Sequence, residues 1–201
     1  SGRALAALPE LAELAAADGV RLRAEARYSA PRTWPDLREP AGGAGGCRLH
    51  AAYCFGAQAV SLEVEPSSGR VNVLRVIAAS DVGRAVNPAA VEGQMEGGVV
   101  MGLGYALSEE FRLQQGRIVT DTLARLGLWR AAQVPPIECL IVENPHEEGP
   151  FGAKGMSELP VSMAAPAVVS ALHDALGVWL TRIPATPERI LTLLDERDDP
   201  L

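Results

Sequence analysis

The sequence predicts an α+β fold, a mixed or antiparallel sheet packed with glycine-rich helices. Three observations carry this expectation. Residues 58–65 and 71–79 are two apolar-rich runs around Pro66-Ser67-Ser68-Gly69, the composition of a β-hairpin and its turn. Asn87-Pro88 opens a long segment with a capping Asn and a Pro at the first helical position. A strand pattern at 137–143 is followed by a helix at 163–176.

Taken in order, residues 9–17 form a helix with Pro9 in the first turn and Asp18-Gly19 past its end. Residues 29–46 hold three Pro and four Gly and read as a linker. The hairpin ends where Asp81-Val82-Gly83 breaks its second strand. The helix of residues 88–110 contains Gly93, Gly97, Gly98, Gly102 and Gly104. Each interior Gly costs about 1 kcal/mol relative to Ala. Their number implies a face on which a Cβ is unwanted, because either another helix or a ligand comes close. A second small hairpin surrounds Gln115-Gly116, and residues 144–160 form a Pro/Gly-rich loop. The helix of 163–176 ends at Gly177, and Thr186-Pro187-Glu188 opens a last helix over 188–195. The expected organisation is an N-terminal helix and linker at 1–46, a main domain at 47–195 and a charged, frayed tail at 196–201.

Composition narrows the function. The chain has 201 residues, 48% apolar but only 4% aromatic, so Ala, Val and Leu must fill the core. A net charge of -7 argues against a nucleic-acid partner. No run reads as a membrane span or a basic amphipathic surface, so no membrane partner is expected. The start, Ser1-Gly2-Arg3, reads as the cut edge of a longer protein. Cys47, Cys54 and Cys139 form no disulfide framework and read as reduced, mostly buried and cytoplasmic. His50, His146 and His173 share no metal-ligand spacing, so no protein-ligated metal is expected.

Two segments carry more than folding needs. The first runs from Asp81 through Gly83, Asn87 and Pro88 to Glu92-Gly93-Gln94, then Glu96-Gly97. Gln94, flanked by glycine, offers amide donors and an acceptor to a planar heterocycle or a phosphate. The second is Gly149-Pro150-Phe151-Gly152-Ala153-Lys154-Gly155-Met156-Ser157-Glu158. Its spacing around Lys154 is not that of a P-loop. Glu158 lies between Met156 and Leu159, where desolvation would suit a general base. Taken alone, it reads as a helix cap or a surface acid. Glu109-Glu110 reads as a solvated helix end, Glu147-Glu148 as an exposed turn, and Glu138 and Glu143 as water-facing.

Together these segments resemble the xanthine dehydrogenase/aldehyde oxidase family of molybdenum hydroxylases, in the C-terminal part of the molybdopterin-binding large subunit. The resemblance covers roughly residues 50–190, with Gly102-Leu103-Gly104-Tyr105-Ala106-Leu107-Ser108-Glu109 as a third matching stretch. It implies a molybdopterin-binding domain of the xanthine dehydrogenase type. It implies that Gln94 hydrogen-bonds the molybdopterin (Mo) cofactor, with Gly93, Gly97, Lys154 and Gly155 lining it. It implies that Glu158 stands beside molybdenum as a partly buried general base, with water as the oxygen source. The implied substrate is a purine or related N-heterocycle. The alternatives are an aldehyde, or a non-catalytic cofactor-binding or assembly module. The implied partners are the remaining part of the molybdopterin subunit and iron–sulfur ([2Fe-2S]) and flavin (FAD) domains or subunits, in an oligomer. By itself the segment is expected to be inactive. Ser157 stands where the family has Gly, and Leu126 and Gln133 stand where it has an aromatic and an Asp.

Overall fold

A computed structural model describes residues 8–21, 23, 25–29, 50 and 52–198. The chain divides into two compact units, Ser1–Ala30 and Pro31–Leu201. The linker expected at 29–46 and Cys47 fall almost entirely outside the described residues.

The first unit contains helix α1, Leu8–Ala17. It stops at Gly19, which takes a left-handed φ of 67° while its N–H reaches the Ala16 carbonyl. Glycine adopts that conformation without a Cβ penalty. Leu11 and Leu14 lie exposed on this helix.

In the second unit, β1 (Gly56–Glu65) and β2 (Arg70–Asp81) form the expected antiparallel hairpin. Its register shifts between Ser61 and Leu62, leaving Leu74 as an extra, exposed residue in β2. Strand β5 (Ile137–Val142) adds to β2 in parallel, so the sheet is mixed, in the order β1-β2-β5. A small separate hairpin pairs β3 (Leu113–Gln114) with β4 (Arg117–Ile118), and α3 (Leu123–Leu126) follows.

One face of the sheet is covered by α2 (Pro88–Leu107) and α4 (Leu159–Leu176). The core joins Val76 and Ala78 of the sheet to Met95, Val99 and Leu103 of α2 and Val168 and Leu172 of α4. Ile190 and Leu194 of α5 (Pro187–Asp198) complete it.

The helix boundaries differ from the sequence reading in three places. Helix α4 begins at Leu159, inside the expected loop, because Pro160 fits a first turn whose N–H groups lack partners anyway. Helix α2 ends at Leu107, where the Gly104 carbonyl receives the N–H groups of both Ser108 and Glu109. Helix α5 continues through residues 196–198 of the expected frayed tail; the Arg197 guanidinium donates to the Leu176 carbonyl at 3.0 Å, tying it to the end of α4.

Two further expectations are corrected. Helix α4 is long and apolar enough to cross a membrane by length and composition, with a mean hydropathy of 1.3. Here it is a core helix, packed on α2 and β1. Glu110 is not a solvated helix end, for it accepts a hydrogen bond from Arg189 at 2.5 Å, with Arg182 at 3.7 Å. Arg189 holds its carboxyl below the ordinary range, whereas burial pushes the neighbouring Glu109 up.

Candidate active site

Parallel pairing of β2 with β5 decides where the two motifs meet. Ser80 lies opposite Ile141 and Asp81 opposite Val142, so both strands end on the same side of the sheet. Open sheets place ligands beyond such carboxyl ends. The Asp81–Pro88 segment leaves β2 there, and the 143–158 loop leaves β5 there.

The two segments are stitched together by main-chain bonds. Val82 N–H donates to Val142, Lys154 N–H to Val82 and Arg84 N–H to Gly152, at 3.0, 2.9 and 2.9 Å. Gly83 bridges to Ala153. Only glycine serves at 83: its φ is 65°, and a Cβ would overlap the Gly152 carbonyl oxygen. The Glu143 carboxylate accepts from Ala85 N–H at 2.7 Å.

Beneath this stitch lies a buried ion pair. Lys154 Nζ donates to Asp81 Oδ2 at 2.6 Å, with side chains only 5% and 7% exposed. Asp81 Oδ1 accepts from Gly83 N–H at 3.0 Å, and Asn144 also bonds the carboxylate. Burial alone would raise the Asp81 carboxyl, but Lys154, Gly83 and Asn144 together hold it below its ordinary value.

Above it opens a groove of about 360 Å³, lined by Val82, Arg84, Asn87, Gln94, Lys154 and Ser157 among others. Asn87 caps α2, accepting from Ala90 N–H at 3.1 Å, and so fixes the start of the helix that carries Gln94. Gln94 Nε2 donates to the Ser157 carbonyl at 2.9 Å. This bond joins the two sequence motifs directly. A larger cleft of about 450 Å³ runs along α5 between Leu180, Arg182, Arg189 and Leu193, and contains no motif residue.

The candidate residues therefore separate. Gln94 stands on the groove. A Cβ placed at Gly93, Gly97 or Gly155 would meet nothing within 4 Å, so these positions face open space. Gly98 and Gly102 serve the other purpose considered for this helix, since Cβ atoms there would meet Pro160 Cβ at 2.8 Å and Ala164 Cβ at 2.5 Å on α4. Lys154 lines the groove and pairs its ammonium with Asp81.

Ser157 is not among the described residues with positive φ, so the change from Gly strains nothing. Glu158 is exposed and not partly buried. It occupies the cap position of α4, where its carbonyl accepts from Ser162 and its side chain makes no cap bond. The half-buried Met156 packs against the core, while Glu158 faces out.

Cys54 and Cys139 are free and half-buried, and burial pushes both thiols up. Cys54 Sγ donates to the Gly155 carbonyl. Sequence reasoning gave Asp81 no role, although one signal was present: Lys154 is the only lysine in the chain, and the other cationic side chains are arginines. A compact ammonium fits a buried single-carboxylate site that a guanidinium fork does not.

These residues fit a planar cofactor, with a Gln amide whose Oε1 has no partner among the described residues, beside a Cβ-free edge at Gly93 and Gly97. Comparison with known proteins identifies the family. Residues 3–135 match the model of the molybdopterin cofactor-binding domain. The chain belongs to that family, as a molybdopterin-binding domain of the xanthine dehydrogenase/aldehyde oxidoreductase type. The match includes the N-terminal segment that the sequence resemblance had left out.

The chain is 33% identical to a probable xanthine dehydrogenase subunit of Bacillus subtilis (strain 168), over 74% of its own length and 20% of that protein. Among solved structures it resembles the aldehyde oxidoreductase of Desulfovibrio gigas, with a TM-score of 0.70 and 32% identity over 75% of this chain and 16% of that one. It also resembles the quinoline 2-oxidoreductase of Pseudomonas putida 86, with a TM-score of 0.66 and 36% identity over 69% and 18%. The chain thus spans a fifth or less of the length of these relatives.

Proposed function

We propose that this chain carries one wall of the active site of a molybdenum hydroxylase that oxidises a purine or related N-heterocycle with water as the oxygen source. The observation that carries the reading is the hydrogen bond from Gln94 to the Ser157 carbonyl, which holds the glycine-edged helix against the residue before Glu158. Gln94, with Gly93, Gly97 and Gly155, would hold the cofactor. When bound, that group supplies two-electron redox chemistry. Gln94 Oε1 would orient it, and Gly93 and Gly97 would leave room for it. Glu158 would take the proton from the water-derived oxygen as that oxygen replaces hydrogen on the substrate carbon, the electron pair of the broken C–H bond going to the cofactor as two-electron acceptor. The electrons leave through iron–sulfur and flavin groups carried by other domains or subunits of a cytoplasmic oligomer.

The relatives' names support an N-heterocycle, xanthine and quinoline among them, and also an aldehyde. Higher kcat/KM on xanthine or quinoline than on an aromatic aldehyde supports the first. The exposure of Glu158 favours a second reading, a cofactor-binding or assembly module without catalysis. Glu158→Gln in the intact enzyme separates the two. Turnover should fall by about 10² to 10⁴, the contribution of a general base, with molybdenum content near wild type. Wild-type turnover in that variant would remove Glu158 from the mechanism.

A further inference from the structure

The 149–158 loop has few side chains that anchor it. Phe151 is 81% exposed, and Gly155, Ser157 and Glu158 face outward. What fixes it is concentrated below. The Lys154 ammonium pairs with the Asp81 carboxylate at the end of β2, itself held by Gly83 N–H and by Asn144, just past the ends of β2 and β5. Main-chain bonds at Val82 and Arg84 surround this point, and Cys54 holds the next carbonyl, that of Gly155. Ser157, whose carbonyl receives Gln94, lies only three residues beyond Lys154.

We propose that the Asp81–Lys154 ion pair is a positioning element of the site: it sets the 152–157 segment on the end of β2 and, through the Ser157 carbonyl, sets where Gln94 and Glu158 stand. Lys154 then acts through the loop and not on the cofactor. A surface ion pair would fluctuate with solvent, whereas a buried one of near-ideal length holds one geometry. The chain's only lysine is spent where a point charge must meet one carboxylate oxygen.

This inference rests on Glu158 being the base, and its test is chosen to stand apart from that reading. The variants are Lys154→Met and Asp81→Asn, together with the double variant, which strands no buried charge. Each is made in the intact holoenzyme. Expected in all three is at least about tenfold faster amide exchange across residues 152–157, with α2 amides at Val99 and Leu103 protected as in wild type. On xanthine or quinoline, whichever is the better substrate, kcat should fall about ten- to a hundredfold, the effect of a misplacement near 1 Å. KM should move less than about threefold, and molybdenum per protein should stay constant.

Wild-type exchange at 152–157 in the double variant overturns the proposal. So does loss of molybdenum with unchanged exchange in Lys154→Met, since Lys154 would then hold the cofactor itself. If Glu158→Gln turns over normally, the function reading falls, while the exchange measurement still decides the role of the pair.

Discussion

The Asp81 carboxylate is the residue on which pH should act most clearly. Its folded value lies below the ordinary 3.8 because Lys154, Gly83 and Asn144 outweigh its burial. A depressed carboxylate contributes stability that is present above its unfolded pKa and lost as pH falls through the folded one. The loss should begin near pH 5 and continue below pH 3.8. Glu110, held down by Arg189, adds to the same acid limb. Urea midpoints of the intact protein followed from pH 7 to pH 3 should therefore fall less steeply in Asp81→Asn than in wild type. At neutral pH, removing Lys154 alone leaves a stranded buried charge at a cost of about 3–5 kcal/mol. At this scale the sequence was partly legible. Gln94 was visible because glycines isolate it. The partners of Asp81 and Glu110 were not, because Lys154 and Arg189 reach them across the fold and no local period records such a contact.

Helix α2 shows how one glycine-rich element serves two purposes. Gly98 and Gly102 lie against α4, where Pro160 and Ala164 leave no room for a Cβ. Gly93 and Gly97 face open space. Gly102→Val should separate the helices and destabilise by about 1–3 kcal/mol, an overpacking cost seen as a lower thermal midpoint. Gly97→Ala should do the reverse, gaining up to about 1 kcal/mol of helix propensity while lowering molybdenum occupancy, because the new Cβ intrudes on the cofactor edge. Unchanged occupancy with raised stability would show that edge to be idle. The elements themselves were largely readable. Apolar patterning gave the hairpin, and Asn87-Pro88 gave the start of α2. The start of α4 was not, since Pro160 read as the end of a loop, although it sits in the helix's first turn.

At the scale of the whole molecule, the described helices α2 and α4 cover one face of the sheet. On the other, Ala57, Ala79 and Leu140 lie in one row, and Ala59 and Ile77 lead to Glu138 in the next. Leu140 and Val142 are each 46% exposed, so this face presents apolar surface. The chain expressed by itself should show no hydroxylase activity and should self-associate; sedimentation of a strictly monomeric, active chain would contradict this. A mixed or antiparallel sheet was expected, yet the sequence did not tell that β5 pairs in parallel with β2, and that pairing is what joins the motifs. It also orders events during folding. The β1–β2 hairpin is local, but β5 reaches β2 only after all of α2 and the segment beyond it have been threaded across, and such distant closures come late. Until β5 docks, Lys154 has no Asp81 to meet and Gln94 no carbonyl to hold. On the proposed reading, a half-folded chain would lack the joined motifs that grip the cofactor, and loading should be restricted to molecules that have finished.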